Sequence, residues 1–214
     1  MVKNGSVMIT KKERLVNKEK NKMKVTYEIE NEKKVKVKTY ADGTVFKYDE
    51  NNNEIYYKGC DGYEMWGEYN SKRYCIHFKD NYGEEEWRKY DSKGRMIYLK
   101  VNDGFEEWRE YDSNGNEIHY KNNKGNEQWY EYDANSNMVH FKDNTGYEYW
   151  SEYDSNGNMI HYKESNGYEY CKEYDSNGKV IHYKESNGSE YWKEYDSNGN
   201  EIHYKESNGY EKWY

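Results

Sequence analysis

A chain of 214 residues with 34% hydrophobic side chains lacks an ordinary globular composition, for which roughly 45–50% apolar is usual when Gly is counted. Twenty-eight Tyr and seven Trp against four Phe argue against a disordered chain, because each large ring can bury roughly 150–250 Å². The net charge of −8 argues against nonspecific attachment to nucleic acid or to an anionic membrane.

The acidity is uneven. Residues 1–24 hold eight Lys/Arg (Lys3 to Lys24) against two Glu, so everything after them is strongly acidic. A short Lys-rich tail most often reads as a solvated terminus. Residues 1–41 are expected to be a basic arm and an irregular cap, with a faint helical period over 9–24. MVKNGSVMITKKERLV has no apolar core of a secretory leader, and no stretch reaches a membrane-spanning length. The expectation is a cytoplasmic protein with Cys60, Cys75 and Cys171 as reduced thiols.

From residue 42 the chain repeats every 21 residues. Tyr69, Tyr90, Tyr111, Tyr132, Tyr153, Tyr174 and Tyr195 keep the register. Full repeats start at Tyr63, Glu84, Phe105, Asn126, Tyr147, Tyr168 and Ser189, a degenerate one at Asp42, and a five-residue stub ends at Tyr214. Position 2 is Glu in every full repeat. Position 4 holds all seven Trp (Trp66, Trp87, Trp108, Trp129, Trp150, Trp192 and Trp213), broken only by Cys171. Position 15 holds all six His (His77, His119, His140, His161, His182 and His203), position 17 is Lys and position 21 is Gly.

Each repeat reads as strand, turn, strand, turn: xExWxEYD, a joint such as SNG, NEIHYK, and a second such joint. Asn-Gly between aromatic and β-branched runs is a strong hairpin signal. The predicted fold is all-β, an elongated, twisted antiparallel meander of tandem hairpin repeats over 42–214, each contacting mainly its neighbours. Parity adds a constraint. Side chains alternate faces, and 21 is odd, so one joint must be even and the other odd if every Trp is to share a face. The preferred assignment makes YDSNGN the even joint. Positions 1, 3, 7, 14 and 16 (Tyr and Ile) then share one face, and Glu, Trp, His and Lys at 2, 4, 6, 15 and 17 the other, with Glu beside Lys across strands. The other assignment groups Trp with Ile and the position-16 Tyr.

YDSKGRMIYLKVNDG, residues 90–104, resembles the YD repeat of Rhs proteins in its Tyr-Asp, Gly-Arg, apolar and Asp-Gly sequence and in its period. WxEYDSNG also resembles MORN-type repeats, and the SNG turns beside aromatics resemble choline-binding cell-wall repeats. These resemblances imply β-hairpin repeats over 42–214. They assign no functional residue.

The recurrent Asp, His and Ser of YDSNGNEIHYK look like a catalytic inventory. A site repeated seven times, with Ser in a turn and no oxyanion hole, is better read as turn chemistry. Successive His are about 10 Å apart across two strand spacings, too far to share one zinc ion, and read as cross-strand partners of Trp. Oxygen-rich DSNGN follows no calcium-loop spacing. No phosphate-binding loop occurs, and no cofactor or metal is expected.

The expectation is therefore a non-catalytic scaffold binding another protein along an extended aromatic and acidic face. The residues singled out are the seven Trp together with Glu106, Glu127 and Glu148. The rival readings are a phage-encoded inhibitor of a defence nuclease, of the anti-CRISPR kind, whose acidic body occupies a basic channel, and a carbohydrate- or cell-wall-binding repeat. The C-terminal strand edge is a further candidate for self-association.

Overall fold

A computed structural model describes residues 22–214; most of the basic arm, residues 1–21, lies outside the described residues. The described residues form nineteen β-strands in two units, Met1–Glu106 and Glu107–Tyr214.

In the N-terminal unit, β1 (Met23–Glu30), β2 (Lys33–Tyr40), β3 (Val45–Tyr48), β4 (Glu54–Lys58), β5 (Glu64–Tyr69), β6 (Cys75–Asp80), β7 (Glu85–Tyr90) and β8 (Met96–Val101) pair antiparallel, each with the next. The C-terminal unit repeats the pattern from β9 (Glu106–Tyr111) to β19 (Glu211–Trp213). The all-β antiparallel meander expected from the 21-residue period is the observed architecture. Residues 23–40 depart from the repeat as a hairpin of two eight-residue strands, longer than the six-residue strands typical of the full repeats.

The repeat at Tyr147 shows how the odd period is accommodated. Both joints are three-residue loops of one construction. At the first, the Asp154 amide donates to the Asn158 carbonyl and the Gly157 amide to the Asp154 carbonyl, at 2.9 and 3.1 Å. At the second, the Glu164 amide donates to Tyr168 and the Gly167 amide to Glu164, at 2.8 and 3.0 Å. Three-residue loops with a left-handed Gly are a standard hairpin closure. The parity difference arises one step beyond the first loop. Tyr153 pairs with Met159 and Glu152 with His161, so Ile160 is an extra residue, a β-bulge. Seven further repeats shift register at the same point. The bulge puts Trp, His, Glu and Lys in mutual register, the preferred assignment. Position 14 needs correction: as the bulged residue it is unpaired, and Ile55 and Ile76 line grooves with Tyr56 and Trp66 and with His77 and Trp87, on the Trp side.

Val35 and Val37 are the fully buried hydrophobic residues among those described, at 2% and 4% exposure. Most other strand residues are half-buried. Burial is thus spread over side-chain rows that run across the strands, and those rows are where function must be sought.

Candidate functional site: side-chain rows on the two faces

On the Trp face the pairing builds a five-residue row. Glu131 lies opposite His140, His140 opposite Trp150, Trp150 opposite Lys163, and Lys163 opposite Glu169. The imidazole and indole planes are nearly parallel. His77–Trp87, His119–Trp129, His140–Trp150 and His182–Trp192 have centroids 5.1–5.5 Å apart at 7–12°, and His203–Trp213 is closer still at 3.7 Å and 10°. Parallel rings separated by about one strand spacing of 4.8 Å stand side by side. Their flat faces are turned along the sheet, so an edge of the indole is what points outward.

Every His in the column lies between two carboxylates. Nδ1 meets the position-6 Glu of its own repeat at 3.1–3.3 Å, and Nε2 meets the position-2 Glu of the next at 2.8–2.9 Å. A neutral imidazole has one N–H; only imidazolium donates from both nitrogens. At His77, His140 and His182 burial pushes the pKa down, and the flanking glutamates outweigh it so that the net shift is upward. At His161 the hydrogen bond to Glu169 is the leading cause of a rise.

The repeats themselves show that the two positions change together. Two lack His at position 15 and carry Tyr56 and Tyr98. In both, position 6 is Lys instead of Glu: Lys47 faces Tyr56 and Lys89 faces Tyr98, at 5.8 and 5.0 Å from the ring centres. The Tyr56 hydroxyl donates to Glu64 Oε2 at 3.0 Å, replacing the Nε2 bond. A phenol has one donor, not two, so the second carboxylate becomes a cation over the ring. That exchange was visible in the repeat columns, although the sequence reading weighed each column alone.

The structure places the predicted residues as follows. All seven Trp lie on strands, opposite His in most repeats, Tyr56 at Trp66. Trp129, Trp150 and Trp192 are 38%, 40% and 37% exposed, whereas Trp66 and Trp87 are half-buried with Lys79 and Lys100 over their rings. Glu127 and Glu148 are the Nε2 partners of His119 and His140, and Glu106 opens β9. Cys171 stands between His161 and Lys184 where the other repeats have Trp; nothing in the structure explains the exchange. The Asp of the catalytic-looking inventory is held in its own turn. Asp154 Oδ1 accepts the amides of Asn156 and Asn158 and its Oδ2 the Asn158 side-chain amide, each at 2.9 Å. The side chain and then the backbone of the following Asn hold Asp133, Asp154 and Asp196 below the usual carboxylate range.

The opposite face carries a feature the sequence reading did not single out. Tyr130, Phe141, Tyr149, Tyr162, Tyr170, Tyr183, Tyr191 and Tyr204 form an unbroken ladder, with successive centroids 5.1–5.7 Å apart. From Tyr162 onward every second hydroxyl ends on a carboxylate: Tyr162 donates to Glu164 and Tyr204 to Glu206, both at 2.8 Å, and Tyr183 to Glu185. The bond to Glu206, then burial, pushes the Tyr204 pKa up to about 12.

These rows define a tandem β-hairpin repeat protein. No known protein family and no curated protein matches the sequence. Similar solved structures include the Tc holotoxin pore of Photorhabdus luminescens, 15% identical over 84% of this chain with a TM-score of 0.49. Another is TcdB2-TccC3 without its hypervariable C-terminal region, 10% identical over 89% of this chain with a TM-score of 0.47. The matched span is 12% and 14% of the length of those chains.

Proposed function

We propose that the protein is a non-catalytic β-repeat scaffold that binds a protein partner across the Trp-bearing rows of its C-terminal unit. The observation that carries this is the exposure of Trp129, Trp150 and Trp192 at 37–40%, held at fixed spacing in rows of alternating charge. Trp is a favoured interface anchor, and the flanking Glu, His and Lys supply charge complementarity. The upright setting of the indoles supports a protein partner over a glycan, because stacking on a sugar would need the flat face of the ring.

The test is to identify a partner by affinity purification from the native host, purify it, and measure its affinity for the wild type and for Trp129→Ala/Trp150→Ala/Trp192→Ala. At least about a tenfold loss is expected for anchors of this kind. Undiminished affinity in a triple variant whose circular dichroism shows an intact fold overturns the reading.

A further inference from the structure

Position 1 of the repeat points to a second kind of site, on the Tyr face and independent of the Trp rows. Tyr147 and Tyr168 occupy this position in neighbouring repeats, and each reaches a carboxylate 17 residues ahead. The Tyr147 hydroxyl donates to Glu164 Oε1 and the Tyr168 hydroxyl to Glu185 Oε1, both at 3.1 Å. The rings lie edge-on against the ladder: Tyr168 is 6.3 Å from Tyr162 and 6.0 Å from Tyr170, each at 64°.

In the next repeat position 1 is Ser189. Beside it is a cavity of about 530 Å³ walled by Tyr183, Tyr191, Tyr204, Glu185 and Glu206. Its walls stand as they do in the filled repeat. Tyr183 and Tyr191 are 5.1 Å apart at 25°; Tyr162 and Tyr170 are 5.2 Å apart at 22°. Glu206 accepts the Tyr204 hydroxyl at 2.8 Å and the Asn208 amide at 2.6 Å, as Glu164 accepts Tyr162 at 2.8 Å and Asn166 at 2.7 Å. Glu164 receives one thing more, the Tyr147 phenol, and residue 189 has none to give. Of the three repeats whose acceptor is Glu, two have thus filled the receptor with their own phenol and one has not.

We propose that the cavity at Ser189 binds a phenol: a hydroxylated aromatic ring set edge-on against Tyr183 and Tyr191, with its hydroxyl donating to Glu206. Edge-to-face contact with two rings gives the orientation. The charge-assisted hydrogen bond to a carboxylate gives selectivity over rings without a donor. The ligand is a free phenol or a tyrosine side chain presented by a peptide.

The test uses the full chain and the tyrosine side-chain analogue p-cresol, followed by NMR shifts of residues 183–208. Saturable binding in the millimolar range is expected for so small a ligand. Toluene should bind about tenfold more weakly, lacking the charge-assisted bond. Ser189→Tyr, which restores the common residue, should abolish the shifts. Tyr168→Ser should open a second site at Glu185, a readout that does not depend on the Ser189 variant folding. Titration with N-acetyl-Gly-Tyr-Gly-amide distinguishes the sources: binding by it and p-cresol assigns a peptide tyrosine, binding by p-cresol alone a free phenol. Equal affinity for toluene, tighter binding of n-butylamine, unchanged binding in Ser189→Tyr, or no saturable shift at these residues overturns the proposal. None of these outcomes bears on the Trp rows.

Discussion

The N- and C-terminal units run the same hairpin on different side-chain pairs. In the C-terminal unit the ladder passes through eight rings without a break, and all five His of its rows sit between two Glu. Before the ladder, residues other than aromatic ones stand at ladder positions: Met65, Glu86 and Leu99 in the N-terminal unit, and Glu107 and Gln128 at the start of the C-terminal one. Only His77 keeps the two-carboxylate arrangement in the N-terminal unit, while Tyr56 and Tyr98 face Lys. The backbone therefore does not demand any one pair; it demands that whatever stands across the row be complementary. That requirement accounts for the joint exchange of His for Tyr and of Glu for Lys, which no single repeat would reveal.

The comparison can be broken first at the ladder. Tyr170→Ala removes a ring lying 5.2 Å from Tyr162 and 5.6 Å from Tyr183, and should cost about 2–3 kcal/mol, below the range for a fully buried ring. Leu99→Ala, at the ladder position of the N-terminal unit, should cost about 1–2 kcal/mol. Urea denaturation of both variants checks this, and equal losses would show that the continuous ladder confers nothing extra.

The second prediction exchanges one pair for the other. His140→Tyr alone leaves Glu131 opposite a phenol that has no donor for it, whereas His140→Tyr/Glu131→Lys recreates the pair found at Lys89 and Tyr98. The double variant should recover most of the single variant's loss, with a coupling of roughly 0.5–1 kcal/mol. Additive losses would refute the complementarity argument.

A third prediction concerns pH. Because the pKa values of His77, His140, His161 and His182 are raised in the folded state, their contribution is complete below the ordinary imidazole value of about 6.5. It fades as pH climbs through the raised values. Stability should thus fall from near-neutral into mildly alkaline solution. Amide exchange, corrected for its intrinsic pH dependence, should quicken most in the His-rich C-terminal unit. Uniform quickening in both units would count against the His rows as its cause.

The smallest effect lies in the first joint. Its third loop residue takes positive φ, 83° at Gly157, but Arg73 and Ser136 hold the same place at 68° and 65°. Arg73→Gly and Ser136→Gly should each stabilise by only a few tenths of a kcal/mol, because relief of the left-handed strain is partly offset by loss of the Arg73–Asn53 and Asn116–Ser136 hydrogen bonds. Thermal melts provide the measurement.

The fold was legible because the signals were redundant: period, Asn-Gly turns, alternation and parity all required a meander of hairpins. Parity left two assignments for the faces, and the pairing of Glu with Lys across strands favoured the one that groups Trp, His, Glu and Lys. The device that produces this shared face was not legible, because a β-bulge leaves Ile160 looking like any other strand residue in the sequence. Position 14 was misplaced for the same reason. The Tyr147–Glu164 and Tyr168–Glu185 bonds escaped notice because they span 17 residues and join different strands, and no local pattern encodes them. The Ser189 exchange becomes informative only once those bonds are known.

The bulge also bears on how such a gene can change. One extra residue in each repeat returns the next repeat to the same face, so a copying error that adds or removes a whole repeat leaves every row in phase. An error of one codon would turn all later side chains over. Repeat number is consequently free to drift by recombination between near-identical segments, such as those around YDSNGNMIHYKESNG and YDSNGNEIHYKESNG. Repeat length is locked.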